Sequence, residues 1–100
     1  MRMTGDLKIA VCIATYRRPD GLRAVLESLA AQRFERAKVQ WRIIVVDNDA
    51  EGTARPVVEG FAAHVPIVYV REPRQGLSYA RNAAIAAALD LDGLAFIDDD

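Results

Sequence analysis

Several kinds of protein are excluded by what this sequence has little of. It holds a single cysteine, Cys12, so no intrachain disulfide can form and a disulfide-stapled scaffold is ruled out. Cys12 lies within an apolar run and reads as a small buried hydrophobe in a chain suited to a reducing compartment. The single histidine, His64, stands near Pro66 without a cysteine or second histidine at ligand spacing, which argues against a metal role. The six glycines form neither GxGxxG nor GxxxxGK[ST], so neither a dinucleotide fingerprint nor a Walker phosphate loop is supported. No stretch approaches the roughly 20 apolar residues needed to cross a bilayer. The opening Met-Arg-Met-Thr-Gly-Asp leads into a strand-like run without the pattern of a secretory leader. Charge of one sign is also missing. Thirteen basic residues face fourteen acidic ones for a net −1, which gives no reason to expect nucleic acid or an acidic membrane as partner.

What is present is a 100-residue chain, 52% hydrophobic, enough for one small domain, 1–100, or part of a larger one. Its hydrophobic period switches back and forth. Lys8 to Ala14 is nearly continuous apolar and predicts a strand buried on both faces. Pro19 and Asp20 open a helix whose apolar face is Leu22, Val25, Leu26 and Leu29. Trp41 to Val46 is a second strand. A second helix is expected from Gly52 and Thr53, with Pro56 in its first turn and Val57, Val58, Phe61 and Ala62 inward. Ile67 to Val70 is a third strand. Leu77 to Leu89 is an alanine-rich helix with Leu77, Ala80, Ala84, Ile85 and Ala88 expected to face inward. Leu94 to Ile97 is the fourth strand. The alternation predicts an α/β fold, a three-layer Rossmann-like parallel sheet of about four strands and three helices, joined by right-handed crossovers. No linker, repeat or low-complexity tract interrupts it.

The unusual polar residues cluster where strands end: Thr15-Tyr16-Arg17, Asp47-Asn48-Asp49, Arg71 to Gly76, and Asp98-Asp99-Asp100. In open parallel sheets this edge is where ligands bind. Asp98 and Asp100, one residue apart, suit a hard divalent cation, which favours carboxylate oxygens and completes its shell with phosphates and water. Asp47 could meet a ribose or base N–H, or cap the next turn. Arg81, one turn into the third helix, could grip a phosphate or base carbonyl, or lie on the surface. Tyr16 offers a face for a nucleobase. Asn48 and Asp49 read as turn residues, Asn82 as a buried structural amide, and Gly76 as a glycine that opens its helix.

The segments Cys-Ile-Ala-Thr-Tyr-Arg-Arg-Pro, Val-Val-Asp-Asn-Asp-Ala, Gly-Leu-Ser-Tyr-Ala-Arg-Asn-Ala-Ala-Ile and Ala-Phe-Ile-Asp-Asp-Asp occur in that order. Together they resemble the N-terminal half of a family 2 inverting glycosyltransferase of the GT-A fold, from Ile9 to Asp100. The forms Thr-Tyr-Arg-Arg-Pro and Asp-Asn-Asp-Ala resemble the succinoglycan-type exopolysaccharide glucosyltransferases. The resemblance implies a nucleotide-diphospho-sugar donor, usually a UDP-sugar, and a saccharide or lipid-linked acceptor. It implies that Thr15 and Tyr16 line the base pocket, that Asp47 hydrogen-bonds the base, and that Arg81 binds near the base or diphosphate. Asp98 would face the ribose and, with Asp100, hold Mg2+ or Mn2+. A cytoplasmic protein, with association at the inner face of the cell membrane, is the location the resemblance implies. Many family members carry asparagine where this chain has Arg17.

The resemblance further implies a second half beyond Asp100 carrying the acceptor site and the catalytic base, for which no residue here matches. The chain is therefore expected to be a truncated donor-binding half, inactive alone, that self-associates through a cut sheet edge. Other readings differ in where they put their polar residues. A nucleotidyltransferase carries a glycine-rich basic loop after its first strand, whereas no glycine follows here until Gly21. A phospho-acceptor receiver carries paired acids there, whereas this strand ends in Thr15-Tyr16. An α/β interaction domain with no ligand is the third alternative.

Overall fold

The computed structural model describes residues 7–31 and 39–97. Its elements alternate without exception: β1 (Leu7–Thr15), α1 (Pro19–Ala31), β2 (Val39–Asp47), α2 (Arg55–Phe61), β3 (Ile67–Arg71), α3 (Leu77–Ala87) and β4 (Gly93–Ile97). The strands form one sheet in the order β3-β2-β1-β4, and every pairing is parallel.

The pleat sends alternate side chains to opposite faces, and each face has its own cover. Ile13, Ile43 and Val45 point toward α1 and α2, where they meet Leu22, Leu26, Leu29, Val57 and Val58. Ala10, Cys12, Ile44 and Val46 point to the other face, where Ala80, Ala84 and Ala88 of α3 lie against them. The first face is filled by large aliphatic side chains, each worth about 2 kcal/mol when buried. The second is closed by alanines that let the α3 backbone approach the sheet. Cys12 is buried in this second layer, and burial pushes its thiol pKa up.

Three expectations need correcting. Gly52 and Thr53 precede the second helix, which starts at Arg55 with Pro56 in its first turn. Gly52 instead takes φ 72° in the preceding turn, and a Cβ there would come within 3.2 Å of the Tyr69 hydroxyl. In α3, Leu77 and Ile85 are not inward-facing: they are 62% and 43% exposed. Together with Arg81 they form an exposed i, i+4, i+8 stripe beside the buried alanines. Asn82 is also exposed rather than a buried amide.

The connections fix where a ligand could enter. From β1 the chain steps to β2 and then β3 in one direction, and α3 then carries it back to β4 on the far side of β1. Strand order therefore reverses between β1 and β4. The region just outside the carboxyl ends of those two strands is the position at which doubly wound sheets bind ligands.

Candidate functional site

Thr15, Asp47 and Arg71 stand in one row across the carboxyl edge of the sheet, paired strand to strand. Their fates differ. Asp47 is 0% exposed. One of its carboxylate oxygens accepts from the Asp49 N–H at 3.0 Å. The other accepts from the Ala54 N–H at 2.9 Å and from the Tyr69 hydroxyl at 2.7 Å. These donors bind the start of α2 and the middle of β3 to the end of β2. The expected hydrogen bond from Asp47 to a base is therefore corrected: the carboxylate is turned into the core and presents no surface to a ligand. Its role is the turn-capping alternative. Tyr69, held by burial and by its bond to Asp47, has its phenol pKa pushed up to about 12.

The loop after β1 is tied to the loop after β2. The Asn48 N–H donates to the Thr15 carbonyl at 2.9 Å, which carries the ladder one step past the strands. Arg17, at φ 54°, places its guanidinium 3.4 Å from the Asp49 carboxylate and 5.1 Å from the centre of the Tyr16 ring. Asp49 is buried and also receives the Thr53 hydroxyl and the Glu51 N–H. Those bonds, then the Arg17 charge, hold its carboxyl below the usual range. Asp49 in turn raises the Arg17 pKa.

The loop after β3 is held just as firmly. Asn48, expected to be a simple turn residue, donates its side-chain amide to the carbonyls of Glu72 at 2.9 Å and Arg74 at 3.2 Å. Glu72 receives Arg74 through Nε and Nη2, both at 2.9 Å, and through the Arg74 N–H at 3.0 Å. This grip lowers the Glu72 carboxyl pKa. The Arg74 guanidinium lies 4.6 Å from the centre of the Tyr79 ring on α3, and Gly76, at φ 129°, gives α3 its start. The Arg71 side chain donates to the Ala50 carbonyl at 3.2 Å.

At the switch point the surface is more open. Thr15 ends β1 as a buried residue and Tyr16 follows it with 40% of its surface exposed. On the neighbouring strand, Arg81 reaches from α3 over the Phe96 ring of β4, 5.6 Å from its centre. Phe96 pairs with Cys12 and Ile97 with Ile13, so Arg81 stands beside the end of the strand that leads into the acidic run. Asp98 and Asp100 lie outside the described residues. No group of three or more His, Cys, Asp or Glu side chains that could hold a metal ion occurs among the described residues. Thr15 and Tyr16 thus end the strand that pairs with β4, Arg81 lies over Phe96 of β4, and Asp47 is buried at the end of β2.

Sequence reasoning gave no role to Tyr69 or Tyr79, took Thr53 only as a helix start, and named Glu72 and Arg74 only as part of the polar segment Arg71 to Gly76. For Tyr69 a signal existed. Once β2 and β3 are parallel neighbours in the observed register, alternation puts Tyr69 on the same face as Val45 and Asp47. The Glu72–Arg74 and Arg74–Tyr79 contacts depend on a loop conformation that no periodicity encodes.

Comparison with known proteins places this geometry in context. The profile of glycosyl transferase family 2 matches residues 10–100. The chain is 46% identical over 97 residues to the succinoglycan biosynthesis protein ExoM of Rhizobium meliloti (strain 1021), covering 94% of this chain and 30% of that protein. It is 32% identical over 95 residues to the uncharacterized glycosyltransferase YfnE of Bacillus subtilis (strain 168), covering 94% of this chain and 23% of that one. The chain thus spans less than a third of the length of these relatives. Among solved structures it resembles the mannosyltransferase PcManGT of Pyrobaculum calidifontis in complex with GDP-Man and Mn2+. That match has a TM-score of 0.66 and 26% identity over 80% of this chain and 24% of the other. The S. aureus TarS structure shares the fold, with a TM-score of 0.73 at 23% identity, over 94% of this chain and 17% of TarS.

Proposed function

As this chain belongs to glycosyl transferase family 2, we propose that its switch-point crevice binds the nucleotide portion of a nucleotide-diphospho-sugar, a UDP-sugar in the first instance, for inverting transfer to a saccharide or lipid-linked acceptor. The observation that carries this reading is the place of Thr15 and Tyr16 at the end of β1, the strand that pairs with β4, together with Arg81 lying over Phe96 near the end of β4. An exposed aromatic ring serves a base and a guanidinium serves a diphosphate. Asp47 belongs to the support of this site rather than to its surface. Together with Tyr69 it fixes the turn from which Asn48 and Asp49 hold the loops after β3 and β1.

The acidic run following Ile97 is assigned the metal. Asp98 and Asp100 supply hard oxygen ligands of the kind Mg2+ and Mn2+ take, and Asp98 would also face the ribose. The buried carboxylates of Asp47 and Asp49 are engaged by protein donors and do not compete for such an ion. A bound divalent ion would supply charge neutralisation to the departing diphosphate. PcManGT, in complex with GDP-Man and Mn2+, supports the pairing of nucleotide and divalent metal, and ExoM supports a polysaccharide product, since its name places it in succinoglycan biosynthesis. None of the residues named here is assigned as the general base that deprotonates the acceptor, and the prediction made for this chain is donor binding. The protein would act in the cytoplasm, at the inner face of the cell membrane.

The test is a titration of the chain with UDP, with and without Mn2+, followed by NMR. Shifts at Thr15, Tyr16 and Arg81 that strengthen with Mn2+ are expected. Spectra unmoved at millimolar nucleotide would overturn the reading. ATP is expected to bind more weakly than UDP, which separates a transferase donor site from a nucleotidyltransferase site.

A further inference from the structure

Arg17 holds a backbone conformation that its side chain does not favour. At φ 54° it lies in the left-handed region, where glycine is at ease, asparagine is tolerated, and other residues need a compensating interaction. Two interactions meet at its guanidinium. Nε lies 3.4 Å from one Asp49 oxygen and Nη2 donates to the other at 3.4 Å. The same group covers the Tyr16 ring at 5.1 Å.

The anchor is rigid and the ring is not otherwise fixed by the core. The Asp49 side chain is only 1% exposed and is held by the Thr53 hydroxyl and the Glu51 N–H, so it cannot follow a moving arginine. Tyr16 follows the last residue of β1 and keeps an exposed ring. A guanidinium fixed at one point and laid against a ring limits the orientations that ring can take.

We propose that Arg17 is a positioning residue of the nucleotide site: pinned by Asp49, it holds the Tyr16 ring from one side, so that the other side is a preset platform for the base of the donor. This rests on the donor-binding reading above. It adds that the second-strand loop controls base stacking through Asp49 and Arg17, without itself touching the base. A lysine would not replace Arg17, because a point charge lacks the planar fork that spans two carboxylate oxygens while lying on a ring.

The experiment compares the wild-type chain with Arg17→Gly, Arg17→Lys and Asp49→Asn, titrated with UDP and separately with inorganic pyrophosphate, both with Mn2+. Arg17→Gly relieves the left-handed backbone, so its thermal midpoint should equal or exceed that of the wild type. Its UDP affinity should nevertheless fall about fivefold or more, the scale of one stacked base, while pyrophosphate affinity stays unchanged. Asp49→Asn should weaken UDP binding similarly, and adding Arg17→Gly to it should cost no further affinity, because both act through one contact. Arg17→Lys should fall with Arg17→Gly. Unchanged UDP affinity in Arg17→Gly overturns the proposal, as does an equal loss toward UDP and pyrophosphate. A wild-type chain that binds no UDP overturns the donor reading and this inference together, whereas a wild type that binds while Arg17→Gly is unaffected overturns this inference alone.

Discussion

The two flanks of the carboxyl edge follow opposite plans. On the side of β2 and β3 the loops are locked by side chains that turn inward: Asp47 takes three donors, Asn48 holds two carbonyls, and Glu72 grips Arg74 from both sides. On the side of β4 the strand is largely exposed. Leu94, Phe96 and Ile97 stay open, and the Arg81 guanidinium lies over the Phe96 ring. One flank is rigid before any ligand arrives. The other keeps its apolar side chains at the surface. A site of this kind separates support from engagement, and the residues that look most functional by charge can belong to the support.

Removing Asp47 should produce the largest effect. Asp47→Ala would leave the Asp49 and Ala54 N–H groups and the Tyr69 hydroxyl buried without their acceptor, at a cost of about 3–5 kcal/mol. Asp47→Asn keeps the volume but cannot accept all three donors, and should cost about 2 kcal/mol. Urea unfolding measures both. A loss below about 1 kcal/mol for Asp47→Ala would show that the locked flank is not locked by this carboxylate.

Next in size is the response to pH, whose two ends separate the parts of the lock. The Tyr69 pKa is raised to about 12 in the folded chain, from 10.0. The folded state thus holds the phenolic proton more tightly than the unfolded state. The stability this confers is complete below about pH 10 and lost as pH rises toward 12. Tyr69→Phe should abolish that alkaline loss. The Asp49 and Glu72 pKa values are lowered by their hydrogen-bond donors, Thr53 first for one and Arg74 for the other. Their contribution is present above the ordinary carboxylate values of 3.8 and 4.5 and is lost as pH falls through the lower folded values. Asp49→Asn and Glu72→Gln should each flatten the acid limb of a stability-against-pH curve measured by circular dichroism. An unflattened acid limb in both would assign that limb to other carboxylates.

These contrasts also bear on what the sequence could disclose. Periodicity made the layers legible. The apolar runs of β1 and β2 required cover on both faces, and Leu22, Leu26 and Leu29 and then Ala80, Ala84 and Ala88 provide it. The polar strand ends marked one edge of the sheet, along which Thr15, Asp47 and Arg71 stand in register. Direction was not legible at that edge. Asp47 reads the same in sequence whether it faces a ligand or a helix start, and only the pairing of β2 with β3 brings Tyr69 to it and decides the matter. The error at Leu77 and Ile85 has a different origin. A helical face wide enough to take them in was assumed, but a sheet four strands wide, with β4 at its margin, offers α3 only the narrow strip that its alanines fill.

The smallest stability effect is expected on the open flank, and it tests that flank most directly. Phe96 is 43% exposed and its ring meets Arg81 rather than a packed core, so Phe96→Ser should change folding stability by less than about 1 kcal/mol. Association should respond much more. Among the described residues β4 pairs only with β1. Its outer backbone groups and the stripe of Leu77 and Ile85 are proposed here as the edge through which the chain would meet another copy of itself. Sedimentation velocity over a concentration series should show the wild type shifting to larger species, with the shift reduced in Phe96→Ser and further reduced when Ile85→Glu is added. A wild type that stays monomeric throughout would remove self-association from this flank. A stability loss of several kcal/mol in Phe96→Ser would mean that the open flank is packed after all, and the contrast between the two flanks would collapse.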